Sequence, residues 1–259
     1  MAIFLCLGTC SLAFDAAAQD DSISTDRPDI VDSSDVVPRK ALQFEVGTSY
    51  ARDTHSSAQI TQFSTPLLIR YGLTSNFELR FATDGRVVQH MRATNVDATN
   101  RGFGDLSLGF KWHIDDGKPA TPRPAIAMEL SAEFPTGSDN FKGDGVRPTL
   151  RGIAEWVFSD SVSLGLMSGA TYDRSSLHDF WNGVLATSVD FAPTESLRGF
   201  VEVAGQQLAH AQDGGVILTA DTGLAYVLTR ATQVDFAIFR GLNATTPNWT
   251  IGAGFSIRL

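Results

Sequence analysis

The chain has 259 residues, 43% of them hydrophobic and 19% charged, and a formal net charge of −9 at pH 7. That acidic balance excludes the electrostatic footprint of a nucleic-acid binder, and a mean hydropathy of −0.02 excludes both a disordered chain and a bundle of membrane helices. Twenty-three glycines and seventeen phenylalanines against two cysteines point to a β-rich chain with many turns.

Residues 1–18, MAIFLCLGTCSLAFDAAA, combine an apolar run from Ala2 to Phe14 with small residues at Ala16, Ala17 and Ala18. This is the pattern of a secretory signal peptide, with cleavage expected after Ala18. No Lys or Arg precedes the run, which fits a weak signal or a start further upstream. Cys6 and Cys10 both fall inside it, so the exported chain would lack cysteine and need another source of rigidity, such as a closed sheet. No other stretch is apolar over the roughly 18 residues that a membrane helix needs. Residues 19–40 read as an irregular leader rich in Asp and Ser, and residues 41–259 as one domain.

From Ala41 onward apolar and polar residues alternate with the period of two that a strand requires. Leu42, Phe44, Val46 and Tyr50 share one face; Phe63, Thr65, Leu67, Ile69 and Tyr71 share the next. Phe77, Leu79 and Phe81 alternate with Glu78 and Arg80. A long polar stretch, 84–103, follows and is expected as a loop. The pattern then resumes through Leu106–Trp112, Ile126–Phe134, Leu150–Phe158, Val162–Tyr172, Trp181–Phe191, Leu197–Gly205, Val216–Tyr226, Val234–Ile238 and Trp249–Leu259. Ile153 interrupts the polar face of its segment, and Phe200 sits on the side of Arg198 and Glu202. About twelve segments of roughly 8–11 residues result, the span a tilted strand needs to cross a bilayer.

Alternation alone does not say whether the apolar face meets a core or lipid. The connections do. YGLTSNFEL, VFSDSVSLGL, FAPTESLRGF and YVLTRATQVDF repeat one short turn, with WHIDDGKPATPRPAI as a longer variant. Between them lie longer polar connections at 84–103, 135–147, 173–180, 205–215 and 239–248. Strict alternation of short and long connections belongs to outer-membrane barrels, with tight turns on the periplasmic side. Aromatics at strand ends, among them Tyr50, Tyr71, Trp112, Trp156, Tyr172, Trp181, Tyr226 and Trp249, look like interfacial girdles. The expected fold is therefore all-β: an up-and-down antiparallel transmembrane β-barrel of about 12 strands in the bacterial outer membrane, its Phe/Leu face toward lipid.

Three patches carry a resemblance. STDRPD followed by Val37-Pro38 and a Gln-x-Glu-x-Gly strand start, GFGDLSLGFKW at 102–112, and FPTGSDNF at 134–141 are similar to motifs of a bacterial outer-membrane family labelled transporter, or protein of the meta-pathway of phenol degradation. Ile30-Val31-Asp32 departs from that family, where an aromatic and then an acidic residue are expected. The resemblance implies a barrel of this size and uptake of aromatic or other small molecules.

The inward face is expected to carry Glu45, Arg70, Glu78, Arg80, Asp105, Lys111, Glu129, Glu133, Arg151, Glu155, Asp190, Arg198, Glu202, Asp221, Asp235, Arg240 and Arg258. Such mixed charge either braces a narrow barrel by cross-strand pairing or forms a polar conduit that sorts solutes. Residues 24–32 are expected to tuck into the periplasmic mouth. There Arg27 would meet an inward carboxylate, and Asp26 and Asp29 inward arginines, with Arg258 and Arg70 nearest.

The histidines, 55, 90, 113, 178 and 210, lack metal-site spacing, and the glycine-rich turns lack a following helix. No catalytic, metal or cofactor site is therefore expected. The leading function is a channel or transporter for small solutes. A structural or surface-interaction barrel, with loops 84–103 and 135–147 as its contact surface, is the alternative. An outer-membrane hydrolase built on SSLHDFW (175–181) is the third reading. The expected partners are the outer-membrane bilayer, an unnamed small solute and the barrel-assembly machinery, with no nucleic acid.

Overall fold

The computed structural model describes residues 22–54, 58–175 and 178–259, so the segment read as a signal peptide lies outside the described residues. The described chain forms one antiparallel sheet of fifteen strands that closes on itself where β1 (Leu42–Asp53) pairs with β15 (Trp249–Arg258).

Three staves of this barrel are each broken once. The second consists of β2 (Gln59–Ser64) and β3 (Leu67–Gly72). The third consists of β4 (Phe77–Thr83) and β5 (Arg86–Ala93), and the fourth of β6 (Val96–Phe103) and β7 (Leu106–Asp115). The rest are single: β8 (Ala125–Phe134), β9 (Arg147–Ser159), β10 (Val162–Arg174), β11 (Asp179–Phe191), β12 (Leu197–Leu208), β13 (Ile217–Thr229) and β14 (Thr232–Gly241). Fifteen strands thus make twelve staves. Closure pairs each of the twelve on both sides along its membrane-crossing part, and β6, at the outer end, is paired with β5 alone.

The three breaks lie on one line across the wall. Thr65 N–H reaches the Asp84 carbonyl at 3.1 Å, and Gly104 N–H reaches the Gly85 carbonyl at 2.9 Å. Gly85 takes φ +62°, where a side chain would be strained and would also strike Thr65.

Residues 84–103, expected as a loop, belong mostly to strands instead. β5 and β6 form a hairpin with a two-residue tip that continues the staves outward. Its outward face carries Arg86, His90, Arg92, Thr99 and Arg101 rather than an apolar run, which hides the period of two.

The exposed apolar side chains sit outside. Leu79 is 47% and Leu108 53% exposed, while their neighbours Glu78 and Lys111 are fully buried. The apolar face of each strand is therefore the lipid face, and the charged face points into the lumen. Ring pairs mark both interfaces: Phe77 stacks on Trp112 at 5.5 Å near the short turns, and Tyr172 meets Trp181 at 5.1 Å at the opposite end.

One inward sector is apolar. Ile153, Met167, Ala186 and Ala204 pack with Ala127 around Val31 of the leader. Ile153 breaks the polar pattern of β9 because it is a wall contact for Val31. Phe200 likewise points inward, 3% exposed, over Gly223, where a Cβ would come within 2.6 Å of its ring.

Candidate functional site

Residues 22–38 run inside the barrel from its periplasmic end, and the lumen charges meet them. Asp26 is the focus. Its carboxylate accepts from Lys111 Nζ at 2.9 Å on both oxygens and from Arg80 Nη1 at 2.5 Å, with Arg70 Nη1 at 3.6 Å. Arg70 and Arg80 are balanced in turn by wall carboxylates, whereas Lys111 pairs with Asp26 of the leader. Arg70 bonds Glu45 at 3.1 Å and Glu78 at 2.8 Å, and Arg80 lies 2.9 Å from Glu78 and 3.3 Å from Glu129. Arg70 and Lys111 are wholly buried, so the network has no water to fall back on.

The leader's backbone is held by the same groups. Glu45 accepts the Asp26 N–H at 3.1 Å, and Gln43 donates to the Ser24 carbonyl at 2.8 Å. Glu78 accepts the Val37 N–H at 2.7 Å. Glu202 takes the N–H groups of Ile30 and Val31, at 3.0 and 2.8 Å. On the wall, the alternating Gln43, Glu45 and Gly47 all point inward, and each touches the leader. Gly47 and Gly254 face each other across the β1–β15 seam, and the Arg27 guanidinium lies over both. A Cβ at either would sit 2.5–2.6 Å from Arg27 atoms and would push the guanidinium out of this slot. Arg27 then pairs with Asp235 at 3.1 Å.

Other candidates lie elsewhere. Asp29 is not brought to an arginine; it faces the carboxylates of Asp190 and Glu202. Asp32 meets Arg151 at 3.3 Å, and Glu155 accepts from Ser34 Oγ at 2.9 Å. Asp221 lies opposite Glu202 in the ladder and accepts from Thr219 at 2.8 Å. Arg258 does not reach the aspartates: it sits at the mouth and donates to the Arg230 carbonyl at 3.4 Å. Arg240 is a correction. Even positions of β14 face outward, and its guanidinium lies 4.6 Å over the Trp249 ring on the lipid side. At SSLHDFW, Ser175 Oγ donates to the His178 carbonyl and the His178 ring meets Asp213 at 2.7 Å, which ties two outer connections together.

Asp105 and Glu133 serve the outer end. Asp105 accepts from the N–H groups of Gly137 and Gly143, both at 2.8 Å, and from Arg147 at 3.1 Å; Arg147 also bonds Glu133 at 2.5 Å. Connection 135–146 is thereby folded onto the wall.

Two cavities flank the leader. The inner one, about 370 Å³, lies between the leader and β9–β12 and is lined by Asp29, Asp32, Asp35, Glu155 and Asp190 together with Val31, Ile153 and Phe200. The outer one, about 350 Å³, is lined by Arg80, Asp84, Asp105, Glu129, Glu133 and Arg151. Arg27 borders both.

Comparisons with known proteins agree with this architecture. The family model described as "Putative MetA-pathway of phenol degradation" matches residues 25–259. An outer-membrane channel from Pseudomonas putida F1 superposes with a TM-score of 0.66 at 13% identity, covering 88% of this chain and 98% of the other. The KdgM porin gives 0.51 at 13% identity, covering 84% and 98%. The translocator domain of autotransporter NalP from Neisseria meningitidis gives 0.55 at 11% identity, covering 85% and 88%. No curated protein matches the sequence.

Proposed function

Because the chain belongs to that phenol-degradation family and is a closed outer-membrane barrel in contact with the outer-membrane lipid, we propose that it is a passive channel for small solutes whose bore is narrowed by its own leader. The observation that carries this reading is the pair of cavities, one on each side of a leader held by ion pairs and backbone hydrogen bonds rather than by covalent linkage. Each is near the lower end of the size range of small-molecule pockets.

The solute class follows from the inner cavity. Its wall joins apolar side chains (Val31, Ile153, Val157, Phe200) to a ring of carboxylates and serines. Such a lining favours a compact solute with an apolar body and hydrogen-bond donors, a hydroxylated aromatic ring among them, and disfavours anions. The family description supports the same class.

The test is single-channel recording in planar bilayers on the full chain and on a variant lacking residues 19–36. The full chain should give small, discrete openings, and the deletion a clearly larger conductance. A deletion variant that is folded yet silent would overturn the channel reading.

A further inference from the structure

The outer rim of the barrel carries a band of positive charge on its lipid side, in a chain of net charge −9. The strand register aligns it. One cross-strand row at the extracellular end runs Arg240, Trp249, Arg52, Thr61, His90, Thr99 across β14, β15, β1, β2, β5 and β6. The row beneath it, toward the bilayer, is Ile238, Ile251, Tyr50, Phe63, Val88 and then Arg101. Arg92 stands one row above and Arg86 one row below.

All of these face away from the lumen. Arg52, Arg86, Arg92 and Arg101 are exposed, as are their apolar neighbours Tyr50, Phe63 and Phe103. Adjacent strands lie about 4.8 Å apart, so Arg52 stands roughly 10 Å from Arg240 on one side and from His90 on the other. One carboxylate shares the patch: Asp97, near Arg92 and His90. The salt bridges found among the described residues leave out Arg52, Arg86 and Arg101.

A lipid-facing arginine is costly in hydrocarbon and tolerable only where the bilayer turns polar. Arg240 and Arg52 stand directly above the apolar row, Arg101 ends it and Arg86 lies one row below, so this band straddles the level at which the outer leaflet turns polar. Unpaired guanidinium groups there select phosphate, which they hold bidentately. We propose that this rim is a docking surface for the phosphorylated headgroup of an outer-leaflet glycolipid, with the acyl chains lying on Ile238, Ile251, Tyr50, Phe63 and Val88. A soluble acidic protein would need no apolar row beneath its contact.

The test uses the full chain and the variant Arg52→Gln/Arg86→Gln/Arg101→Gln, each exchanged into detergent with lipopolysaccharide or with the same glycolipid stripped of phosphate. Retained glycolipid is counted by native mass spectrometry. The wild type should retain the phosphorylated form and lose the stripped one. The triple variant should bind on the order of a hundredfold more weakly, from three lost charges at an anionic surface. Its single-channel conductance should be unchanged, because none of the three residues faces the lumen. Arg101→Lys, which keeps the charge, should retain most of the binding if the triple variant folds poorly. Equal retention of the two glycolipids, no retention by the wild type, or full retention by a folded triple variant would overturn the proposal.

Discussion

At the scale of single residues, the leader depends on Asp26 more than on any other side chain. Two oxygens serve Lys111, Arg80 and Arg70, and a neutral amide in their place leaves buried Lys111 without an ion-pair partner among the described residues and Arg70 and Arg80 with one fewer each. Breaking a buried pair from one side costs roughly 3–5 kcal/mol. Most of that would fall on the docked leader, because the barrel ladder does not use Asp26. Asp26→Asn should therefore raise proteinase K cleavage within residues 22–38 by on the order of a hundredfold. Adding Lys111→Met, which removes the stranded charge, should recover part of the protection. Cleavage as slow as in the wild type would mean that Arg27–Asp235 and the Glu202 contacts hold the segment without Asp26.

The sequence already showed these charges, since period-two alternation separates Glu78, Arg80 and Lys111 from the lipid face. It could not show their partners. Arg27 finds Asp235, 208 positions away, only because the barrel closes and brings β14 beside β1 across β15. The Gly47–Gly254 slot is invisible for the same reason: each glycine alone looks like an ordinary weak point in a strand.

At the scale of elements, the broken staves show where pattern reading ends. Between Phe103 and Leu106 the chain must leave one strand and begin another. Gly104 packs against Asp84 there, and Asp105 turns inward to organise connection 135–146. GFGD and FPTGSDNF, separate motifs in sequence, are two sides of this one clasp: Gly102 lies against Ser138 and Phe141, and Ser138 N–H donates to the Phe103 carbonyl at 2.9 Å. Hydrogen bonds to a charged group contribute about 1.5–3 kcal/mol each. Asp105→Ala removes three, so hydrogen exchange at Gly137 and Gly143 should accelerate by at least about tenfold. Unchanged exchange at both amides would show that Ser138 and Thr136 hold the connection unaided. The barrel should otherwise stay intact, because the β7–β8 ladder does not depend on the Asp105 carboxylate.

At the scale of the whole molecule, the lumen is divided by charge. The β1, β3, β4, β7 and β8 wall supplies Arg70, Arg80 and Lys111, and these are consumed by Asp26 and their own wall carboxylates. The β9–β12 wall supplies Glu155, Asp190 and Glu202, and the leader adds Asp29, Asp32 and Asp35 on the same side. Arg27 and Arg198 are the cations on this cavity, and Arg27 is already paired with Asp235 while Arg198 bonds the Ile23 carbonyl at 3.2 Å. An ion passing the leader through the inner cavity therefore meets Asp29, Asp35, Glu155 and Asp190, none of which has an ion-pair partner among the described residues, beside Asp32, which pairs with Arg151. In a potassium chloride gradient the reversal potential should take the sign of cation preference. Glu155→Gln with Asp190→Asn keeps the hydrogen bonds to Ser34 and Ser188 within reach and removes two of those charges. The permeability ratio should then fall by roughly a factor of two, and by more at low ionic strength, where screening is weaker. A wild-type channel that prefers chloride would place the conducting route along the arginine side, past Arg80 and Arg151, and would reject the inner cavity as the path.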